Sequence, residues 1–242
     1  MNNNKKINSS FLIYGHHPVL AALKNKNRIK KNLYITQKYA AEFDNYASLV
    51  KINIISRDEF RKLFKENTLH QEIALEVAAL SYDISEIISS SNERSLIIIL
   101  DQVQDPHNIG AILRTAAAFD AKAVINTIHC SPGETGIIAK TACGGLDIVP
   151  YVSVTNISKT IELLQKHNYW IYGLDGSAKG NLPTDLPNKT VFVLGSEESG
   201  MRKLVRESCD LLCKIPMGGN MESLNVSNAA AIAMYHFENY QS

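Results

Sequence analysis

The chain carries two long runs dominated by apolar residues, Leu96-Ile97-Ile98-Ile99-Leu100 and Thr190-Val191-Phe192-Val193-Leu194. A run without polar alternation suits a strand buried on both faces, as in a parallel sheet. Shorter runs at Ala123–Ile125, Ile148–Val152, Trp170–Tyr172 and Leu211–Cys213 predict further strands. Helical stretches lie between and after them: Asn108 to about Phe119, Gly136–Cys143, Ile157–Lys166, Met201–Glu207 and the Ala-rich Ala229–Phe237. In the first helix Ile109, Ile112, Leu113 and Ala116 share an apolar face from which Arg114 departs. Repeated strand–helix units imply a mostly parallel sheet covered on both faces. Ligands of such sheets gather beyond the carboxyl ends of the strands.

The first third of the chain is patterned differently. Val19–Leu23 reads as a short helix with Pro18 near its first turn. Strands are expected at Leu33–Ile35, Ile52–Ile55 and Ile73–Val77, with helices over 38–50 and Arg57–Phe64. That alternation predicts a small α/β sandwich over residues 11–80, preceded by a disordered polar tail over 1–10. Residues 81–94 contain Ser89-Ser90-Ser91-Asn92 and little periodicity, and read as a linker. The second domain then spans 95–242.

Charge sharpens this picture. The net charge of the 242 residues is only +1. Yet the first 41 hold no acidic residue and carry Lys5, Lys6, Lys24, Lys26, Arg28, Lys30, Lys31 and Lys38. Such a basic stretch reads either as a face for an anionic partner such as RNA or as a solvated helix and tail. No apolar run is long enough for a signal peptide or a membrane span, so a cytoplasmic location is expected. Cys130, Cys143, Cys209 and Cys213 lack the paired spacing of a zinc site and read as buried, reduced thiols. No metal-ligand pattern is present, so no metal is expected.

Three polar, glycine-bearing loops follow predicted strands. The first, Asp105-Pro106-His107-Asn108-Ile109-Gly110, enters the helix that carries Arg114. The second is Gly195-Ser196-Glu197-Glu198-Ser199-Gly200-Met201, where the glycines let backbone approach a ligand closely. Its acidic pair and lack of a P-loop lysine argue against a phosphate cradle. The third is Ile215-Pro216-Met217-Gly218-Gly219-Asn220-Met221-Glu222-Ser223-Leu224-Asn225-Val226-Ser227. Taken singly, Asn108, Ser223 and Asn225 also read as helix caps, and Arg114 as a surface residue.

Together, Asn108 with Arg114, then GSEESGM, then IPMGGNMESLNVS resemble the three motifs of the SpoU-type methyltransferases, ribose 2′-O-methyltransferases of the SPOUT superfamily. The resemblance covers about residues 95–238. Upstream, Tyr14-Gly15-His16-His17-Pro18-Val19 and His70-Gln71 resemble the ribosomal-protein-like RNA-binding domain of one branch, which methylates a guanosine of large-subunit ribosomal RNA. The resemblance implies a parallel sheet with a C-terminal trefoil knot, against the general rule that chains are unknotted. It implies S-adenosylmethionine held by Gly195, Ile215 and Leu224. It also implies an active site of Asn108, Arg114, Glu197, Ser223 and Asn225, a ribosomal RNA substrate and a homodimer. Glu222 falls in a variable part of the third motif and puts a negative charge beside Ser223.

The implied chemistry moves an activated methyl group to a ribose hydroxyl, so the protein mainly orients the reactants and helps remove a proton. Arg114 is implied as the base, although guanidinium groups ordinarily have a pKa of about 12.5–13.8. Its two open roles are transient base and electrostatic anchor of phosphate and alkoxide. Glu197 is expected to orient it through a charge-assisted hydrogen bond. On the final helix Ile232, Met234 and Phe237 suit either a dimer contact or the core of one subunit. Two other readings compete: transfer RNA as substrate, and a non-catalytic RNA-binding assembly protein.

Overall fold

The computed structural model describes residues 10–64, 68–90, 94–219 and 223–239. Residues 1–9 of the tail expected over 1–10, and the expectation attached to Glu222, lie outside these residues. Ser10 already belongs to a strand. The chain forms two compact units: residues up to Ser81 together with Glu134–Ile148, and Tyr82–Gly133 together with Val149 onward.

The first unit is built on a four-stranded sheet of β1 (Ser10–Tyr14), β2 (Lys30–Ile35), β3 (Lys51–Ile54) and β4 (Ile73–Ala78) in the order β1-β4-β2-β3. β4 runs antiparallel to β1 and β2, while β2 and β3 are parallel. β1 is absent from the expected elements; it pairs antiparallel with β4, a partner distant in sequence. α1 (His16–Lys24) and α3 (Arg57–Lys62) form near where the apolar pattern predicts them. Ser56 starts α3 with a reciprocal capping box to Glu59. The helix expected over 38–50 is instead α2 (Ala40–Phe43) flanked by two 3₁₀ turns, with Phe43 as its buried anchor. Ile13, Leu33, Ile35, Phe60, Ile73 and Leu75 are fully buried and form the core. Full burial of such a side chain is worth roughly 1.5–3 kcal/mol.

Glu134–Ile148 differs from expectation. By sequence it sits inside the second domain, yet α6 (Gly136–Ala142) and the 3₁₀ turn Gly145–Asp147 pack on β1 and α1 of the first unit. The reason is a buried charge cluster: Arg28 reaches both Glu134 and Asp147. The expected strand over Ile148–Val152 correspondingly starts later, as β7 (Tyr151–Val154).

The second unit is a seven-stranded, all-parallel sheet. Its strands are β5 (Ser95–Asp101), β6 (Ala123–Thr127), β7, β8 (Trp170–Leu174), β9 (Gly180–Asn181), β10 (Lys189–Gly195) and β11 (Leu211–Lys214). The order is β7-β6-β5-β10-β8-β11-β9. α4 (Ile84–Ser89) is a helix where a linker was expected, because Ile87 and Ile88 bury into the core. On that side Ile97, Ile99, Ile125, Val191 and Val193 meet Ile157, Ile161 and Leu164 of α7 (Ile157–Lys166). α8 (Lys203–Ser208) follows β10. α5 (Pro106–Ala118) and α9 (Val226–Asn239) pack on each other, and α9 also meets β5 and β10. Met234 and Phe237 are buried within this unit, so of the three residues considered for a dimer only Ile232 remains exposed.

All four thiols are unbridged, but only Cys213 is buried. Cys143 is exposed and ends α6 in the left-handed conformation. Burial pushes the Cys209 thiol up to about 12, aided by Asp210, and the Cys213 thiol up to about 11. The thiolate is the reactive form. Iodoacetamide at pH 8 is therefore expected to alkylate Cys143 and spare Cys209 and Cys213. Peptide mass mapping checks this, and equal labelling of Cys213 and Cys143 would contradict it.

Candidate functional site

The strand order reverses direction between β5 and β10. From β5 the chain winds outward through β6 and β7, then crosses to the other side of β10 with β8. The loops leaving β5 and β10 therefore diverge at adjacent strand ends, with Gly195 in register with Asp101. Such a switch point opens a crevice at the carboxyl edge of a parallel sheet. The site follows from this topology.

The loop after β10 is a tight turn. Ser196 and Gly200 exchange two backbone hydrogen bonds of 3.2 and 2.9 Å, and Gly200 closes the turn at φ +66°. A Cβ on Gly195 would lie 2.1 Å from the Gly200 carbonyl carbon. The closure of its own loop thus requires a glycine at 195. Arg202 anchors the end of the turn. Its backbone N–H and its Nε both donate to the fully buried Asp101 at 2.8 Å.

This turn presents Glu197 as a hub. Its Oε1 accepts from Asn225 Nδ2 at 2.7 Å, Asn108 Nδ2 at 3.2 Å and the Val226 N–H at 3.3 Å. Asn225 Nδ2 also donates to Asn108 Oδ1 at 3.0 Å. The other end of Asn225 caps α9, its Oδ1 accepting from the Ser227 N–H at 2.9 Å. Capping and site roles thus coexist in one side chain. The partners are 28 and 89 residues from Glu197 in sequence, so three loops close at one carboxylate.

A cavity of about 370 Å³ opens beside the hub. Leu174, Leu194, Ile215, Leu224 and Val226 give it apolar walls, and Asp175, Ser177, Glu197 and Ser223 give it polar groups. A second cavity of about 300 Å³ shares Glu197 and includes Asn108 in its lining. Gly195, Ile215, Leu224, Glu197 and Ser223 therefore line the first cavity, with Asn108 and Asn225 joined to them through the hub. Arg114 lines neither cavity, is exposed on α5, and has no hydrogen-bond or ion-pair partner among the described residues. No hydrogen bond or ion pair joins Glu197 to Arg114 among the described residues, and the partners of Glu197 Oε1 are the two asparagines and the Val226 N–H.

The sequence reading misses Asp175, Ser177 and Arg206, which meet at the cavity wall. Arg206 Nε lies 3.0 Å from Asp175 Oδ2, and Ser177 Oγ donates to Asp175 Oδ1 at 2.6 Å. The signal was available, since Asp175-Gly176-Ser177 leaves the carboxyl end of a predicted parallel strand.

The family described as SpoU rRNA Methylase matches residues 95–235, more than half of the chain. The chain belongs to the SpoU rRNA methylase family. The SpoU match contains all three loops of the site. A second family, RNA 2′-O ribose methyltransferase substrate binding, matches residues 12–83. Similar proteins include the 23S rRNA (guanosine-2′-O-)-methyltransferase RlmB of Coxiella burnetii, 38% identical over 93% of this chain and 94% of that protein. The Neisseria meningitidis serogroup B protein of the same name is 35% identical over 92% of each. In fold, the chain resembles the SpoU methyltransferase AviRb from Streptomyces viridochromogenes, crystallised with the cofactor AdoMet. That match has a TM-score of 0.83 at 24% identity, over 98% of this chain and 92% of AviRb. A TrmH/SpoU tRNA modifying enzyme of A. aeolicus covers only 64% of this chain, with a TM-score of 0.55.

Proposed function

We propose that the protein transfers a methyl group from S-adenosylmethionine to the ribose 2′-hydroxyl of a guanosine in 23S rRNA. The observation that carries this reading is the Glu197 hub, which joins three separate loops at the rim of a cavity of cofactor size. Relatives named for this activity align across both units. Those relatives are named for 23S rRNA, which favours ribosomal over transfer RNA as substrate.

The larger cavity fits S-adenosylmethionine by its chemistry. Its apolar walls suit a flat adenine, and its volume lies within the range of small-molecule sites, about 300–1,000 Å³. Asp175, Ser177 and Glu197 offer acceptors for the hydroxyl groups, and Glu197 a carboxylate that suits a sulfonium. Gly195, Ile215 and Leu224 would hold the cofactor, which supplies an already activated methyl group. The protein then orients the ribose. Glu197, fixed by Asn108 and Asn225, and Ser223 stand at the rim for that purpose. Arg114, a cation without a carboxylate partner among the described residues, suits an anionic RNA phosphate and the alkoxide that develops as the hydroxyl loses its proton. No metal enters this mechanism.

The reading includes a homodimer, supported by Arg114 standing outside both cavities of its own chain and by Ile232 and Tyr235 remaining exposed on α9. It includes a C-terminal trefoil knot, supported by the return of α9 to α5 and β10 after β11 has paired on the far side of β8. It includes a cytoplasmic location. No helix among the described residues is long and apolar enough to cross a membrane.

The test is methyl transfer from labelled S-adenosylmethionine to unmodified 23S rRNA and, separately, tRNA. Mass spectrometry identifies the product nucleoside. The expected product is 2′-O-methylguanosine in rRNA, reduced about 10²–10³-fold in Arg114→Ala. Label in tRNA alone overturns the substrate. Neither transfer nor cofactor binding would favour a non-catalytic RNA-binding protein.

A further inference from the structure

Ahead of β4 in the first unit, two consecutive residues other than glycine take the left-handed conformation, Gln71 at φ 58° and Glu72 at φ 59°. Such residues carry backbone strain and persist only where their surroundings enforce it. Here they do. Glu72 is held by Arg57 Nε at 2.9 Å, by Thr36 Oγ1 at 3.0 Å and through its N–H to His70 Nδ1 at 3.0 Å. The Gly15 N–H donates to the Ile73 carbonyl at 3.0 Å.

The enforced turn aims Gln71. Its Oε1 accepts from Lys140 Nζ of α6 at 2.7 Å and from the His16 N–H at 3.3 Å. With the carbonyl end fixed inward, the exposed side chain turns its amide NH₂ away from those donors, and that NH₂ has no partner among the described residues. Gly15, at φ 91°, leaves the space this requires, since a Cβ there would meet Lys140 Nζ at 2.4 Å. Lys140 is half-buried, and its partner is a neutral amide. No carboxylate pairs with it among the described residues, and Glu42 and Glu72 of the same unit pair with His16 and Arg57. An ammonium without a counter-charge beside an aligned amide donor is complementary to a phosphate oxygen.

We propose that Gln71 and Lys140 together form an RNA-phosphate contact of the first unit, with Lys140 supplying charge and the Gln71 amide a fixed donor. This rests on the RNA substrate proposed above. It adds Lys140, which falls within the SpoU match, to a substrate-binding surface whose family match stops at residue 83.

The test compares wild type with Lys140→Gln, Lys140→Arg and Gln71→Glu for binding to a 23S rRNA fragment across salt concentrations. Binding of S-adenosylmethionine and thermal unfolding serve as fold controls. Gln71→Glu keeps the acceptor for Lys140 and His16 while replacing the outward donor by a negative oxygen. It is expected to weaken RNA binding about tenfold or more. Lys140→Gln is expected to do the same and to lower the salt slope of the logarithmic affinity by roughly 0.7–0.9, the value of one phosphate contact. Lys140→Arg is expected to keep that slope. RNA affinity and slope within twofold of wild type in both Lys140→Gln and Gln71→Glu, with methylation of 23S rRNA intact, would overturn the contact and leave the proposed activity standing. A wild-type protein that neither binds nor methylates RNA would overturn both.

Discussion

Glu197→Ala is expected to lower kcat/KM for methyl transfer by about 10²–10³-fold, the scale of removing one preorganised polar group from an active site. The reason is geometric. One carboxylate oxygen gathers Asn108, Asn225 and the first turn of α9. Its removal leaves three loops without a common acceptor and the rim of the cavity without a fixed shape. Glu197 is exposed, so the fold should survive the change, and thermal unfolding should shift little. Glu197→Gln keeps an acceptor but loses the charge that strengthens each bond. It should fall between wild type and the alanine variant. Steady-state kinetics with an rRNA substrate measures both. An alanine variant within threefold of wild type would show that the hub is architectural only.

The second large effect concerns stability. Arg28→Met is expected to destabilise the first unit by about 3–5 kcal/mol, the usual consequence of removing one partner from a buried ion cluster. The Arg28, Glu134 and Asp147 side chains are 0%, 4% and 2% exposed, so the two carboxylates have no recourse to water. Arg28 Nε donates to Asp147 Oδ1 at 2.8 Å, Asn25 Nδ2 supports the same oxygen at 3.0 Å, and the Leu80 N–H donates to Glu134 at 3.1 Å. The cluster carries one positive and two negative charges, and burial holds the Glu134 carboxyl above its usual range even beside Arg28. Glu134 therefore binds its proton more tightly in the folded chain than in the unfolded one. Its contribution favours folding below the ordinary glutamate pKa of about 4.3 and is lost as pH rises through the elevated value. Glu134→Gln should consequently cost much less than Arg28→Met and flatten stability against pH in that window. Thermal or urea unfolding at pH 4 to 8 tests both. Equal losses in the two variants would contradict the assignment.

The strands of the second unit and the helices α5, α7 and α9 were legible because apolar runs and 3.6-residue periodicity are local properties. The same holds for the three loops, whose glycines and polar clusters follow predicted strands. The capping chemistry of Asn225 was readable for the same reason. The strands β1 and β9 and the helix α4 were not read, and α4 is fixed by the burial of Ile87 and Ile88 in the core, which its polar serine-rich surroundings hide.

What the tertiary structure alone decided depends on pairings far apart in sequence. Local pattern does not say that β10 lies beside β5, and that neighbourhood creates the crevice. Nor does it say that Glu197 turns toward Asn108 and Asn225 and away from Arg114, a choice made by hydrogen bonds between loops 89 and 28 residues apart. The transfer of Glu134–Ile148 to the first unit turns on an arginine 106 residues from its glutamate partner. Lys140 and Gln71 meet across 69 residues. Sequence determined which segments are strand, helix or polar loop, since those depend on neighbours along the chain. Which polar side chains meet was settled by the fold, because burial and topology act across space.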